Sequence, residues 1–415
     1  MRWVKPSKID GRVAAPPSKS VMIRAVAAAS LAGGVSEIRN PAFCDDALAA
    51  LGAAVALGAK VACSDKTVKI KGQGRPVKSV LDCGESGLCL RLFAPVAALG
   101  KKEITLSAQG SLKTRPVGMI EGPLAELGAT CRSNAGFPPL RVKGPLRGGR
   151  TRLDGSVSSQ FLTGLLTALP ACEGDSEIDV FKLASRPYVE LTISVLERFG
   201  IAVSWERTLD TFKVKGGQRF VAQKYEVEGD WSAAAFLLVA AALAGRITVD
   251  KLANDSRQPD RRVLDVLRAA GAVVSTEGST VTVAAGELKA FDFDATDSPD
   301  LFPPLVALAL GCDGLSLIRG VHRLRHKESD RAMALVEEFS RIGGHLEIRG
   351  NVMRIRGGRL EGGVVSSRGD HRLAMAGAVA GLRAGHGVRI DGGEAVAKSY
   401  PRFFEDLASV GGDIT

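Results

Sequence analysis

The sequence predicts an α/β protein of two domains, each built from three copies of one unit, with a hinged cleft between them. Three observations predict this: a pattern that recurs six times, glycine-closed amphipathic helices inside the copies, and a spare strand at the N-terminus. Each copy starts with a polar or glycine-containing opening, continues as a helix-length run of small apolar residues, breaks at glycine and then forms a short strand. The openings are Pro16-Pro17-Ser18-Lys19-Ser20, Gly84-Glu85-Ser86-Gly87, Gly155-Ser156-Val157-Ser158-Ser159-Gln160, Gly229-Asp230-Trp231-Ser232, Asp297-Ser298-Pro299-Asp300 and Gly369-Asp370-His371-Arg372. Their spacing of about 70 residues is longer than the usual solenoid period.

The first helix of each copy is rich in small residues, as in Ala25 to Ala29, Ala233 to Ala244 and Ala374 to Ala380, which suits a helix buried on all sides. Buried helix N-termini carry unpaired N–H groups and a positive dipole end, so a cluster of them is a candidate anion site, with plain capping by Ser and Asp as the ordinary reading. A second, amphipathic helix follows in Leu191 to Gly200, Val263 to Gly271 and Ala334 to Gly343, each closed by glycine. Alternating pairs such as Ala272 to Ser275 and Thr280 to Val283 then read as strands. The sixth copy, from Gly369, ends at Thr415 without its last strand, and Arg2-Trp3-Val4-Lys5 is the strand left over. The chain therefore begins in the domain where it ends. The domains run 1–14 plus 229–415 and 15–228, with hinge crossings near 14 and 228.

A chain of 415 residues with 45% hydrophobic content is a globular protein of more than one domain. Its formal charge of +10 comes from 55 Lys and Arg against 45 Asp and Glu, a balance that suits an anionic small molecule. Nucleic-acid binding is the reading from another class. Aromatic content is only 5%, and no basic stripe is interleaved with Phe or Tyr, so no nucleic-acid partner is expected. Seven scattered cysteines without a Cys-x-x-Cys pair indicate a reduced compartment and no zinc site. His322, His326, His345 and His386 have no metal-ligand spacing either. No apolar stretch follows Met1-Arg2-Trp3-Val4-Lys5, and the run Ala233 to Ala244 is short of the roughly 20 residues that span a bilayer, so a cytoplasmic location away from membranes is expected.

Nine residues concentrate the chemistry. Arg323-Leu324-Arg325-His326-Lys327-Glu328-Ser329-Asp330-Arg331 packs cations and carboxylates just before an apolar helical run. A charge run is ordinarily a solvated face. Here it opens the second helix of the fifth copy, so Glu328 and Arg331 are i,i+3 neighbours and Ser329 and Asp330 read as caps, with Arg325 and His326 as scaffold.

Pro17-Ser18-Lys19-Ser20 with Arg24, Gly84 to Arg91, Arg115-Pro116, Gly155 to Gln160, Ser185-Arg186-Pro187-Tyr188, Lys327 to Arg331, Gly369 to Arg372 and Ala397-Lys398 fall in one order. That set resembles the EPSP synthase (3-phosphoshikimate 1-carboxyvinyltransferase) family of enolpyruvyl transferases over the whole chain. The resemblance implies two domains, each of three βαβαββ units in an inverse α/β barrel-like arrangement. It implies transfer of the enolpyruvyl group of phosphoenolpyruvate to the 5-hydroxyl of shikimate 3-phosphate by addition and elimination, in the shikimate pathway of aromatic amino acid biosynthesis. It implies no metal, no organic cofactor, a monomer, and glyphosate-like molecules as candidate inhibitors.

By the same resemblance, Ser158, Ser159, Ser185 and Tyr188 hold the shikimate phosphate, Arg24 and Ser20 the carboxylate and ring, and Gln160 lies against the ring. Lys19, Arg115, Arg331, Arg372 and Lys398 clamp phosphoenolpyruvate, and Gly87 allows close backbone approach. Guanidinium groups suit both its carboxylate and its phosphate. Asp300 and Lys327 are assigned to the hydroxyl, Glu328 to proton delivery and His371 to a supporting donor. The 15–228 domain takes shikimate 3-phosphate; the other takes phosphoenolpyruvate and the catalytic carboxylates.

Two departures stand out: Glu85-Ser86-Gly87-Leu88 where bacterial relatives have Asn-Ala-Gly-Thr, and Arg323 in place of Asn. A carboxylate at Glu85 aimed at an anionic substrate is unfavourable, and Arg323 is a candidate to offset it. The alternative enzyme, a UDP-N-acetylglucosamine enolpyruvyl transferase, carries a cysteine in the loop that here reads Gly110-Ser111-Leu112-Lys113-Thr114-Arg115. A repeat scaffold without activity leaves the convergent cations unexplained. Cys83 and Cys89 read as buried fillers.

Overall fold

The computed structural model describes residues 1–72, 74, 76–206, 208 and 210–415. The chain forms two compact units, Met1–Pro16 with Glu228–Thr415, and Pro17–Val227. Each has its own apolar core.

Among the described residues the strands form six four-stranded sheets, three in each unit. The helices alternate between first and second positions in the repeat. In Pro17–Val227 they are α1 (Lys19–Leu31), α2 (Asp45–Ala56), α3 (Gly87–Ala97), α4 (Glu121–Glu126), α5 (Gln160–Ala168) and α6 (Arg186–Arg198). In the other unit they are α7 (Trp231–Ala244), α8 (Val263–Ala269), α9 (Phe302–Leu310), α10 (Arg331–Ser340), α11 (His371–Gly381) and α12 (Phe403–Ser409).

The first helices are the centre of each unit. α7, α9 and α11 pack on one another in pairs, and α3 packs against α1 and α5. Helices surrounded in this way have no solvent face, which explains why α7 is buried from Trp231 to Leu243 and is made largely of alanine and leucine. The strands cover them with one face and show water the other, as the strict alternation of Phe137–Lys143 records.

In every sheet a leading strand pairs in parallel with the strand after the first helix, and the last two strands add antiparallel. Thus Asp292–Asp294 runs parallel to Leu315–Arg319, which pairs antiparallel with Val352–Arg356. These leading strands are the element that periodicity misses: Val80–Asp82 and Asp292–Asp294 have three residues each, too few to show alternation. They complete the βαβαββ unit. Strand Arg2–Lys5 enters the sixth sheet between Val388–Asp391 and Asp413–Ile414, taking the place of the strand the last copy lacks.

Two leading strands are exchanged. Ile9–Ala14 precedes α1 in the chain but pairs with Gly245–Asp250, the strand after α7. Lys224–Glu226 precedes α7 but pairs with Val35–Arg39, the strand after α1. Each strand thus completes a sheet of the unit it lies in just before the chain crosses to the other, which ties both crossings into regular parallel ladders. Among the described residues no helix is long and apolar enough to cross a membrane.

Candidate active site

In the unit that contains the C-terminus, the openings of α9, α10 and α11 bring one ion network together. Arg331 is its centre and is fully buried. Its Nη1 donates to Asp300 Oδ1 at 3.0 Å, its Nη2 to Glu328 Oε2 at 2.5 Å, and its Nε to Asp370 Oδ2 at 2.8 Å. Asp300 also accepts from Arg372 Nη2 at 3.0 Å and faces Lys327 Nζ at 3.4 Å. Three cations therefore converge on the Asp300 carboxylate. Lys398 donates to the Gly369 carbonyl at 2.6 Å, at the start of α11. His371 is buried beside it, with Nδ1 4.0 Å from Asp370 Oδ1.

Local structure fixes these groups. Asp330 caps α10 by accepting from Met333 N, and Asp370 caps α11 by accepting from Arg372 N at 2.9 Å. Ser329 is no cap: its hydroxyl reaches across to Asp370 Oδ2 at 3.3 Å, because the turn ahead of α10 aims it at the next helix opening. Arg325 and His326 are exposed, whereas Arg323 is buried. Farther along α10, the fully buried Glu338 accepts from Ser366 N and Arg368 Nε, each at 2.9 Å. It pins the turn that leads to Asp370, His371 and Arg372.

Burial and charge act in opposition here. Burial pushes Lys327 down to about 8, against the nearby Asp300 carboxylate that favours its charged form. Burial also disfavours the Arg331 charge, but Asp370, Glu328 and Asp300 outweigh it and hold the guanidinium above its ordinary value. Asp260, bonded to the Ser232 hydroxyl, is pushed up to about 6 by burial and by the charge of Asp300.

In Pro17–Val227 the cations are held differently. Arg24 is almost fully buried and donates to Thr192 Oγ1 at 2.9 Å, to the Ser20 carbonyl at 2.9 Å and to the Tyr188 carbonyl at 3.3 Å. Thr192 in turn meets Thr163 at 3.0 Å, so α1, α5 and α6 are tied at one place. Burial pushes Arg24 down to about 10. Lys19 pairs with Asp46 at 3.0 Å. Gln160 Oε1 accepts from Arg91 Nη1 at 3.0 Å, and Arg91 Nη2 donates to the Pro116 carbonyl at 3.0 Å. A Cβ at Gly87 would lie 2.7 Å from Arg91 Nη1 and 2.9 and 3.0 Å from the terminal nitrogens of Arg115. Only a glycine lets both guanidinium groups come this close to the α3 opening.

The anion reading of the helix openings needs correction at four of them. Ser18, Ser86, Asp230 and Asp370 cap α1, α3, α7 and α11 with their own side chains, so those N–H groups are already engaged. At α5 and α6 the serines do not: Ser159 and Ser185 are buried N-cap residues whose hydroxyls make no capping bond, and Ser185 stands at φ 56°. Ser158 accepts from Gln160 N at 3.2 Å, and Tyr188 sits in the first turn of α6 under Arg24. The Glu85 carboxylate accepts from the Ser111 N–H and hydroxyl at 2.9 Å each.

Sequence reasoning passed over Arg91, Asp46 and Asp370 as functional residues. Arg91 had a signal, as a lone cation in the apolar run Gly87 to Ala97, one turn after Gly87. Asp370 and Asp46 look like ordinary helix-start carboxylates, and only their tertiary partners distinguish them. Among the described residues no group of three or more His, Cys, Asp or Glu side chains is placed to hold a metal ion.

Comparisons with known proteins give the family. Residues 4–407 match the family model of EPSP synthase (3-phosphoshikimate 1-carboxyvinyltransferase). A 3-phosphoshikimate 1-carboxyvinyltransferase of Aeropyrum pernix is 41% identical over 98% of this chain and 95% of its own. One from Halobacterium salinarum is 40% identical over 99% of this chain and 98% of its own. The solved EPSP synthase of Acinetobacter baumannii superposes with a TM-score of 0.85 at 26% identity, over 100% of this chain and 99% of that one. The UDP-N-acetylglucosamine alternative is not favoured. The chain belongs to the EPSP synthase family and is a transferase of the shikimate pathway that moves the enolpyruvyl group of phosphoenolpyruvate to shikimate 3-phosphate.

Proposed function

We propose that the carboxylate of Asp300 with Lys327 draws the proton from the 5-hydroxyl of shikimate 3-phosphate, and that Glu328 delivers a proton to the methylene carbon of phosphoenolpyruvate. His371 is a supporting donor. The observation that carries this reading is the convergence of Lys327, Arg331 and Arg372 on Asp300, which keeps that carboxylate ionised and fixed in direction. Lys327, near 8, exchanges its proton at modest cost close to neutral pH.

The Pro17–Val227 unit takes shikimate 3-phosphate. Ser158, Ser159, Ser185 and Tyr188 serve its phosphate, Ser20 and Arg24 its carboxylate and ring, and Gln160 the ring. The placing of Ser159 and Ser185, both buried, at the openings of α5 and α6 supports this. For phosphoenolpyruvate the same unit contributes Lys19, Arg115 and the close approach at Gly87. The other unit contributes Arg331, Arg372 and Lys398. A monomer, open to glyphosate-like inhibitors, accords with this reading.

The test is phosphate release from phosphoenolpyruvate with and without shikimate 3-phosphate, in the unaltered enzyme and in Lys327→Met and Asp300→Ala. Release that depends on shikimate 3-phosphate and collapses in both variants is expected. Near-normal turnover of either variant at saturating substrate would overturn the assignment of roles.

A further inference from the structure

Glu85 has a structural task that no site assignment includes. It lies between the strand Val80–Asp82 and the opening of α3. One oxygen, Oε2, accepts from both the backbone N–H and the hydroxyl of Ser111 at 2.9 Å. Ser111 belongs to the short 3₁₀ turn Gly110–Thr114, whose next residue is Arg115. Within the turn, Thr114 Oγ1 donates to the Ser111 carbonyl at 3.1 Å and Arg115 N donates to the Leu112 carbonyl at 3.2 Å. Leu112 is fully buried. The turn is therefore one stiff piece, anchored beneath by Leu112 and at its front by Glu85.

Two further contacts align the same pieces. Gln109 N donates to the Gly84 carbonyl at 2.7 Å, and its side chain donates to Asp82 at 2.7 Å. Gly110, at φ 46°, is packed so tightly against Glu85 that a Cβ would fall 2.3 to 2.6 Å from the carboxyl group. Backbone space, a positive φ and two hydrogen bonds all accommodate this one side chain. At the far end of the turn, the Arg115 guanidinium lies against Gly87, two residues after Glu85.

We propose that Glu85 is a positioning residue for Arg115: by clamping Ser111 it fixes the turn that places the Arg115 guanidinium against the Gly87 opening, ready for phosphoenolpyruvate. The inference rests on the reading of Arg115 as a phosphoenolpyruvate ligand. The two donors of Ser111 offset the charge of a carboxylate in this loop.

Steady-state kinetics on the full chain test it, with Glu85→Ala, Glu85→Gln, Ser111→Ala, Arg115→Ala and the double variant Glu85→Ala/Arg115→Ala, alongside thermal unfolding. Glu85→Ala is expected to raise the KM for phosphoenolpyruvate roughly tenfold, the loss typical of charge-assisted hydrogen bonds, while the KM for shikimate 3-phosphate stays put. Glu85→Gln keeps an acceptor oxygen for both donors and should recover most of the loss; Ser111→Ala, which keeps the N–H bond, should lose less than Glu85→Ala. In the double variant, loss of Glu85 should add nothing to loss of Arg115. A Glu85→Ala enzyme that is merely less stable, or that loses both substrates equally, would overturn the clamp, as would fully multiplicative losses in the double variant. If Arg115→Ala leaves phosphoenolpyruvate binding unchanged, the assignment of Arg115 fails first and the purpose of the clamp fails with it. A rise in Arg115→Ala without one in Glu85→Ala sinks the clamp alone.

Discussion

Arg24, in the second turn of α1, and Arg331, the first residue of α10, are both buried arginines, and they are held in opposite ways. Arg24 meets a hydroxyl and two backbone carbonyls, all neutral, and burial pushes it down to about 10. Arg331 meets three carboxylates, and its charge is held more firmly than in water. A cation held by neutral acceptors keeps its charge for an incoming anion. One matched by carboxylates fixes the direction of those carboxylates. The acceptors around each arginine, rather than its place in the repeat, decide how its charge is held.

The largest effect should come from removing the matched cation. Arg331→Met leaves Asp300, Glu328 and Asp370 without their common partner in a buried place, and should destabilise the unit by about 3–5 kcal/mol in urea unfolding. Turnover should fall by at least about 10³-fold as the carboxylates lose their direction. Arg24→Met removes a charge that neutral groups hold, leaving only hydroxyl and carbonyl groups unpaired, so about 1–3 kcal/mol is expected. Its kinetic signature should be a raised KM for shikimate 3-phosphate, measured by initial rates. Equal stability losses for the two variants would break the comparison.

The titration of Lys327 sharpens it. The folded value of about 8 lies below the ordinary 10.5, so between these pH values the unfolded chain binds more protons and stability rises with pH. The rise should amount to roughly 3 kcal/mol at most and vanish in Lys327→Met. Urea midpoints from pH 7 to 10.5 measure it. Turnover should move the same way, rising as pH climbs through about 8 and Lys327 becomes the neutral amine that can take the 5-hydroxyl proton. The smallest change in stability is expected for Gly87→Ala. Its Cβ meets the flexible ends of Arg91 and Arg115, which can retreat, so thermal unfolding should hardly shift while phosphoenolpyruvate binding weakens more than that of shikimate 3-phosphate.

Much of this was legible beforehand. Small-residue helices, closing glycines and the orphan strand Arg2–Lys5 carry the repeat on their surface, because burial on every side and helix termination each select residue types. The three-residue leading strands were not legible, being too short to alternate, and their exchange between halves leaves no local mark. Within the site, the motif residues could be named, but not the acceptors that give them opposite properties: Asp370 reads as a cap, and the Glu85 carboxylate points wherever the 110–114 turn puts it.

Residue order alone settled the six-fold repeat and the family and named the candidate cations other than Arg91, since these depend on periodicity and on residue type. The folded chain decided which carboxylate faces which cation, how strongly each proton is held, and where Glu85 spends its charge. Those properties come from burial and from distances of about 3 Å between residues far apart in the chain, and Coulombic and hydrogen-bond energies are set at that range.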